Sequence, residues 1–190
     1  MKARFAPLAL IAALLLAFGA IAAACGGDGD GDGDGGGDGG GGALTLQEYF
    51  QRVEELDTAL QAEEAALDER MEDDLASVTD EQDALDLVQD GFEAQLANIE
   101  DFVDDLDGLD PPAEVEDAHN EAVAAQRDFL DLFKDVLAQL GDIDSFDAVD
   151  ELFGADDIAA AEERATQSCL AVEQIGVSNG FDVDFDCGEE

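Results

Sequence analysis

Apolar residues recur every three or four positions through most of the chain beyond residue 44. Such spacing places them along one face of an α-helix, because the helix repeats every 3.6 residues. The first stripe has a mean spacing of about 3.5 residues and predicts a helix of about 30 residues. Its members are Leu46, Phe50, Val53, Leu56, Leu60, Leu67, Met71, Leu75 and Val78.

The start of this helix carries several N-terminal signals together. Thr45 suits the N-cap position, and Glu48 three residues later completes a capping box. Leu44 before the cap and Tyr49 one turn into the helix form the apolar pair called a hydrophobic staple. We therefore expect the folded domain to begin at residue 44.

Further apolar stripes predict further helices, and residues that typically begin or end helices lie between the stripes. Thr79 followed by Gln82 indicates the start of the second helix, and Gly108 with Pro111–Pro112 indicates its end. The third helix should end at Gly141. The apolar positions of the second helix are Leu85, Val88, Phe92, Leu96, Ile99, Phe102 and Leu106. Those of the third are Val115, Ala122, Phe129, Phe133, Val136 and Leu140.

Beyond Gly141 the pattern predicts a short helix between Ser145 and Gly154, then a final long helix closed by Asn179-Gly180. The last apolar stripe comprises Ile158, Ala161, Ala165, Cys169, Val172 and Ile175. Amphipathic helices joined by short connections favour an antiparallel bundle. We therefore expect an all-α fold over 44–190, with three to four long helices and a short extended C-terminal tail.

A coiled-coil dimer is the alternative for spacing this close to a heptad. Positions flanking the apolar stripes are almost all acidic, so two copies would repel each other. We therefore expect a monomer.

The N-terminal segment 1–24 has the pattern of a secretory signal peptide. Lys2 and Arg4 give it a basic start, an apolar stretch follows from Phe5, and small residues close it at Ala24. Its apolar part is also roughly long enough to span a bilayer, so an uncleaved transmembrane helix is the alternative. Ordinary secretion is a third.

The residues "IAAAC" ending at Cys25 resemble the lipobox of bacterial lipoproteins. Ala24 fits the small residue that precedes the cysteine, whereas Ala22 stands where leucine is usual. The resemblance implies that Cys25 becomes the first mature residue and carries fatty acyl chains. It also implies that the protein is anchored by lipid at the extracytoplasmic face of the cell membrane.

Residues 25–43 then consist of the cysteine and a string of almost pure glycine and aspartate. Such a composition contributes no apolar core and favours a flexible tether. The run "DGDGDG" from Asp28 matches the start of an EF-hand loop, but Gly39 stands where that loop needs a bidentate glutamate. The tether is therefore the preferred interpretation.

The tail "FDVDFDC" alternates strictly, with its three phenylalanine and valine residues and Cys187 on one face. Cys169 is in phase with the apolar stripe of the last helix. With Cys25 lipidated, these are the two cysteines left in an exported domain, and we expect them to form a disulfide. Two free buried thiols are the alternative. This tail also resembles those of uncharacterised bacterial surface lipoproteins.

Charge excludes several kinds of partner. Seven basic residues stand against fifty acidic ones, and the formal net charge is −43. Phosphate backbones repel such a chain, so nucleic-acid binding is excluded. Anionic headgroups repel it too, so attachment to a membrane must be hydrophobic or covalent. We also expect low salt to weaken the fold through self-repulsion.

Candidate chemistry is sparse. Glu116-x-x-His119 matches half of a ferritin-like di-iron motif, but the chain has one histidine and the motif needs two. We therefore predict no catalytic residues, no metal centre and no cofactor. Carboxylates crowd the end of the second helix, and a solvated acidic face is the preferred interpretation. Weak binding of a divalent cation, which would relieve their repulsion with the helix dipole, is the alternative. These carboxylates are Glu100, Asp101, Asp104, Asp105, Asp107 and Asp110.

The function expected from these patterns is a non-catalytic, lipid-anchored surface protein with an interaction or structural role in the envelope. Its protein partner cannot be read from the sequence. One alternative is an acidic surface protein that binds or senses divalent cations. Another is an accessory ligand-binding subunit of a transport or signalling system.

Overall fold

The computed structural model describes residues 43–141, 143, 145–153, 155–183, 185 and 187. The predicted signal peptide, Cys25 and nearly all of the tether lie outside these residues. The described chain is all-α and contains no strand, which confirms the expected fold class. Its helices are α1 (Leu46–Ser77), α2 (Glu81–Asp107), α3 (Glu116–Leu140), α4 (Phe146–Phe153) and α5 (Asp156–Ser178).

The predicted capping box at the start of α1 is present. The Thr45 hydroxyl accepts a hydrogen bond from the backbone N–H of Glu48, and the Glu48 carboxylate accepts one from the Thr45 N–H at 2.9 Å. Just before the cap, the Leu44 N–H donates to the Asp110 carbonyl at 2.8 Å. The first described residues are therefore fastened to the α2–α3 connection.

The start of α2 corrects the sequence prediction by one residue. Asp80 rather than Thr79 is the N-cap, and its carboxylate accepts a hydrogen bond from the Gln82 N–H at 3.0 Å. Aspartate and threonine are both good N-caps, so the pattern could not distinguish between adjacent candidates.

The long helices run antiparallel to their neighbours. Short connections fold α2 back along α1 and α3 back along α2, and α4 then returns the chain so that α5 packs against α3. Arg164 of α5 pairs with Glu121 and Asp128 of α3, which lie two turns apart on that helix. The central helix α3 thus contacts α2 and α5.

Two apolar clusters fill the bundle, one toward each end. The turn-end cluster lies near the α1–α2 turn and comprises Leu75, Leu85, Val88, Phe92, Phe129, Phe133, Val136, Leu137, Leu140, Val149, Phe153 and Ile158. The tail-end cluster comprises Tyr49, Phe50, Val53, Val103, Leu106, Val115, Ala122, Val123, Leu130, Val172, Phe185 and Cys187. The start of α1 and the C-terminal tail therefore meet at the same end of the bundle.

The end of α5 follows the expected pattern. Gly180 has a φ of 85°, the left-handed conformation that glycine adopts without strain. The Phe181 N–H then donates to the Gly176 carbonyl, which turns the chain back. Among the described tail residues, Phe185 and Cys187 are buried in the tail-end cluster and Phe181 and Val183 pack against it. The predicted apolar face of the tail does lie against the bundle.

Candidate functional site

The tail is fastened to α5 by the predicted cysteine pair. Cys169 and Cys187 form a disulfide with their Cα atoms 5.6 Å apart. One turn after Cys169, the Glu173 carboxylate accepts a hydrogen bond from the Phe185 N–H at 3.2 Å. Closing a loop over a sequence separation of 18 residues stabilises a domain by about 3 kcal/mol in the chain-entropy model.

The same tail is wedged between α1 and α5 by aromatic contacts. The Phe50 ring of α1 lies 5.4 Å from the Phe181 ring and 6.2 Å from the Phe185 ring, centroid to centroid. Gly176 of α5 makes room for this contact, because a Cβ there would overlap Val183 and come within 3.1 Å of the Phe50 ring. The tail thus joins the first and last long helices.

A buried polar pair lies in the same part of the bundle. The Tyr49 hydroxyl and His119 Nδ1 are 3.2 Å apart and share a hydrogen bond. Burial raises the pKa of the Tyr49 hydroxyl. Burial also lowers the pKa of His119, partly opposed by the nearby Asp107 carboxylate. Burial therefore favours the neutral form of both groups.

The half-motif Glu116-x-x-His119 is not assembled as a ligand pair. The Glu116 side chain is exposed to solvent, whereas His119 is only 2% exposed and is turned toward Tyr49. His119 is therefore a packed residue of the bundle interior, in contact with Tyr49.

Basic side chains of α3 lie against the acidic end of α2. Arg127 contacts the carboxylates of Asp107 at 2.9 Å and Asp104 at 3.8 Å, and Lys134 pairs with Glu100. Within the described part of the chain, no group of three or more histidine, cysteine or acidic side chains could hold a metal ion. Weak binding of divalent cations at this face stays a prediction.

Sequence reasoning missed the most unusual polar residues, which lie midway along the bundle. Glu64 of α1 is 5% exposed and Gln95 of α2 is 6% exposed. Within the described chain, Glu64 Oε2 and Gln95 Oε1 have no hydrogen-bond partner. Burial raises the pKa of Glu64 to about 7, with further increases from the charges of Asp68 and Asp57. One signal was available, because the α1 stripe skips from Leu60 to Leu67 and Glu64 occupies the missing position.

The described helices include none that is both long enough and apolar enough to cross a bilayer. Cys25, the predicted lipidation site, lies outside the described residues. No family model matches the chain, and comparisons with curated proteins and with solved structures find no match.

Proposed function

We propose that this chain is a non-catalytic, lipid-anchored protein of the cell surface, whose helical bundle has an interaction or structural role in the envelope. The observation that carries the proposal is the order of segments around Cys25. A basic start and an apolar stretch precede this cysteine, and a string of glycine and aspartate follows it. The capping box at Thr45 then opens the folded domain.

Physical chemistry favours a covalent anchor over an adsorbed domain. From Cys25 onward, five basic residues stand against fifty acidic ones, a formal charge of −45. Such a domain is repelled by anionic headgroups, so two acyl chains, at about 0.8 kcal/mol per buried methylene, would have to supply the attachment. A flexible tether of this length would span roughly 23 Å and would lift the bundle off the surface.

The chemistry of the bundle's exterior favours a cationic partner. Four basic side chains of the described helices are already paired with carboxylates, namely Arg52, Arg127, Lys134 and Arg164. Most carboxylates in the described part of the helices are exposed to solvent. A basic protein surface would complement this exterior, and the attraction would weaken as salt is added.

Mass spectrometry of the mature protein tests the anchor. We expect the full chain, expressed in a bacterium and extracted from its membranes, to begin at Cys25 and to carry the mass of a diacylglyceryl group. The matched variant Cys25→Ser should lack that mass. A mature protein that retains Met1 and lacks the modification would contradict the proposal.

A further inference from the structure

Two acceptor atoms without donors lie between the apolar clusters of the bundle. Glu64 and Gln95 belong to neither cluster, and each side chain is more than nine-tenths buried. Leu60 and Leu67, one turn to either side of Glu64, are buried as well. A carboxylate in such surroundings loses most of its hydration, which makes its charged form costly.

The packing of α1 on α2 brings the two side chains to nearly the same level. Met71 lies directly against Gly91, where a Cβ would overlap the thioether sulfur. Because the helices are antiparallel, a step of seven residues back along α1, from Met71 to Glu64, matches a step of seven residues forward along α2, from Gly91 to position 98. Gln95 is three residues from that level, which is about 4.5 Å along the helix axis.

The electrostatic surroundings favour a neutral carboxyl at this position. The charges that act on Glu64 are those of Asp68 and Asp57, both acidic and both on α1. From α2, the buried polar side chain nearest to its level is the uncharged Gln95. Among the described residues no basic side chain forms an ion pair with Glu64. Neutralisation therefore has to come from a proton, which also converts one acceptor oxygen into a donor.

We propose that Glu64 is a proton-binding site inside the bundle, and that ionisation of its carboxyl weakens the docking of α1 against α2. A protonated Glu64 carries no charge into the apolar interior, and its carboxyl leaves one acceptor fewer without a donor. An ionised Glu64 would place a third negative charge beside Asp57 and Asp68. The inference is independent of the anchor at Cys25.

The pKa of Glu64 sets the pH range in which this carboxyl loses its proton. Burial raises it to about 7 from the ordinary 4.5, so the folded state keeps its proton where the unfolded chain has lost it. Stability should therefore fall as pH rises from about 4.5 to about 7 and should then level off. A pKa shift of this size changes the unfolding equilibrium constant by roughly two orders of magnitude over its full pH range.

Denaturant unfolding of the full chain at pH 5.5 and pH 8.5 tests the proposal. Molar sodium chloride in both buffers suppresses the surface charges. Between pH 5.5 and pH 8.5 we expect the wild-type unfolding constant to rise by roughly thirtyfold more than that of Glu64→Gln, which lacks the titrating carboxyl. Glu63→Gln, a change at the adjacent exposed carboxylate, should behave like the wild type. Equal pH dependence in the wild type and Glu64→Gln would overturn the proposal.

Infrared spectroscopy gives a readout that does not need a variant. A buried neutral carboxyl has a C=O band distinct from those of carboxylates, and we expect this band at pH 6 and its loss by pH 8.5. Absence of the band at pH 6 would overturn the proposal. Stabilisation at pH 8.5 by potassium over choline at equal ionic strength that Glu64→Gln abolishes would also overturn it, because a metal cation would then fill the site.

Discussion

At the scale of single residues, the tail-end cluster shows how a polar side chain is tolerated in an apolar interior. His119 is 2% exposed and Tyr49 is 1% exposed, and each satisfies the other through one hydrogen bond. Leaving either group buried without its partner would cost about 1–3 kcal/mol. The pair also joins α1 to α3 across the cluster, so it helps to fix how these helices align.

Neutral His119 predicts a specific response to acid. Burial lowers its pKa below the ordinary value, so below about pH 6.5 the unfolded chain binds a proton that the folded chain does not. This group therefore favours the folded state above that pH and destabilises it on acidification, the opposite of Glu64. We expect the imidazole proton resonances of the folded protein to titrate with a midpoint below that of the unfolded chain.

The assignment is direct because the chain has one histidine. The same resonances in urea-unfolded protein serve as the control and should titrate near pH 6.5. A folded-state midpoint at or above the unfolded one would contradict the prediction.

Prediction from sequence was uneven among these residues, for a physical reason. Thr45 with Glu48 acts through local hydrogen bonds, and Cys169 with Cys187 follows two independent periodicities, so the pattern alone indicated both pairs. Glu64 differs from the other acidic residues only through what packs on it. Its place in the gap of the α1 stripe was visible, but burial of a carboxylate depends on neighbouring helices that a single stripe does not identify.

At the scale of elements, the C-terminal tail acts as a wedge that closes the bundle between α1 and α5. Its position depends on Gly176, whose missing side chain leaves space for Val183 and Phe50. The alternation of the tail predicted which face is buried. It could not show that the tail reaches Phe50 of α1, because that contact depends on how far apart α1 and α5 lie.

Substitution of Gly176 by alanine should destabilise the protein. Alanine gains about 1 kcal/mol in helix propensity, but its Cβ would overlap Val183 and crowd the Phe50 ring. We expect a net loss of about 1–3 kcal/mol and a lower thermal midpoint by circular dichroism.

Gly141→Ala is the matched control. Gly141 has a helical φ of −62°, and a Cβ there would meet nothing within 4 Å. This variant should be as stable as the wild type or slightly more stable. Equal thermal midpoints for the two alanine variants would show that the wedge does not depend on Gly176.

At the scale of the whole molecule, charge opposes folding while a few interhelical ion pairs reduce the repulsion. Arg127 and Lys134 join α3 to α2, and Arg164 joins α3 to α5. Such exposed pairs contribute little each, about 0–1 kcal/mol. The described ion pairs include none that ties α1 to another helix, so apolar packing and the tail carry most of that attachment.

Added salt should therefore raise the thermal stability of the protein. The net charge of −43 is screened over about 3 Å in molar salt and over about 30 Å at 10 mM. We expect the thermal midpoint to rise by several degrees, on the order of 5 °C, between these conditions. Choline chloride at the same ionic strength separates screening from specific cation binding. An unchanged midpoint would show that self-repulsion does not limit stability.

The fold places the point where the chain enters the bundle and the point where it leaves at one pole. Leu44 is fastened beside the α2–α3 connection, and Cys187, the last described residue, lies in the tail-end cluster. Helix α1 has 32 residues and so extends roughly 48 Å away from that pole. Under the proposed anchorage, the hairpin between α1 and α2 becomes the outermost tip of the protein. An antibody or a neighbouring cell would meet this tip first. The opposite end, which the Cys169–Cys187 disulfide closes, would face the membrane.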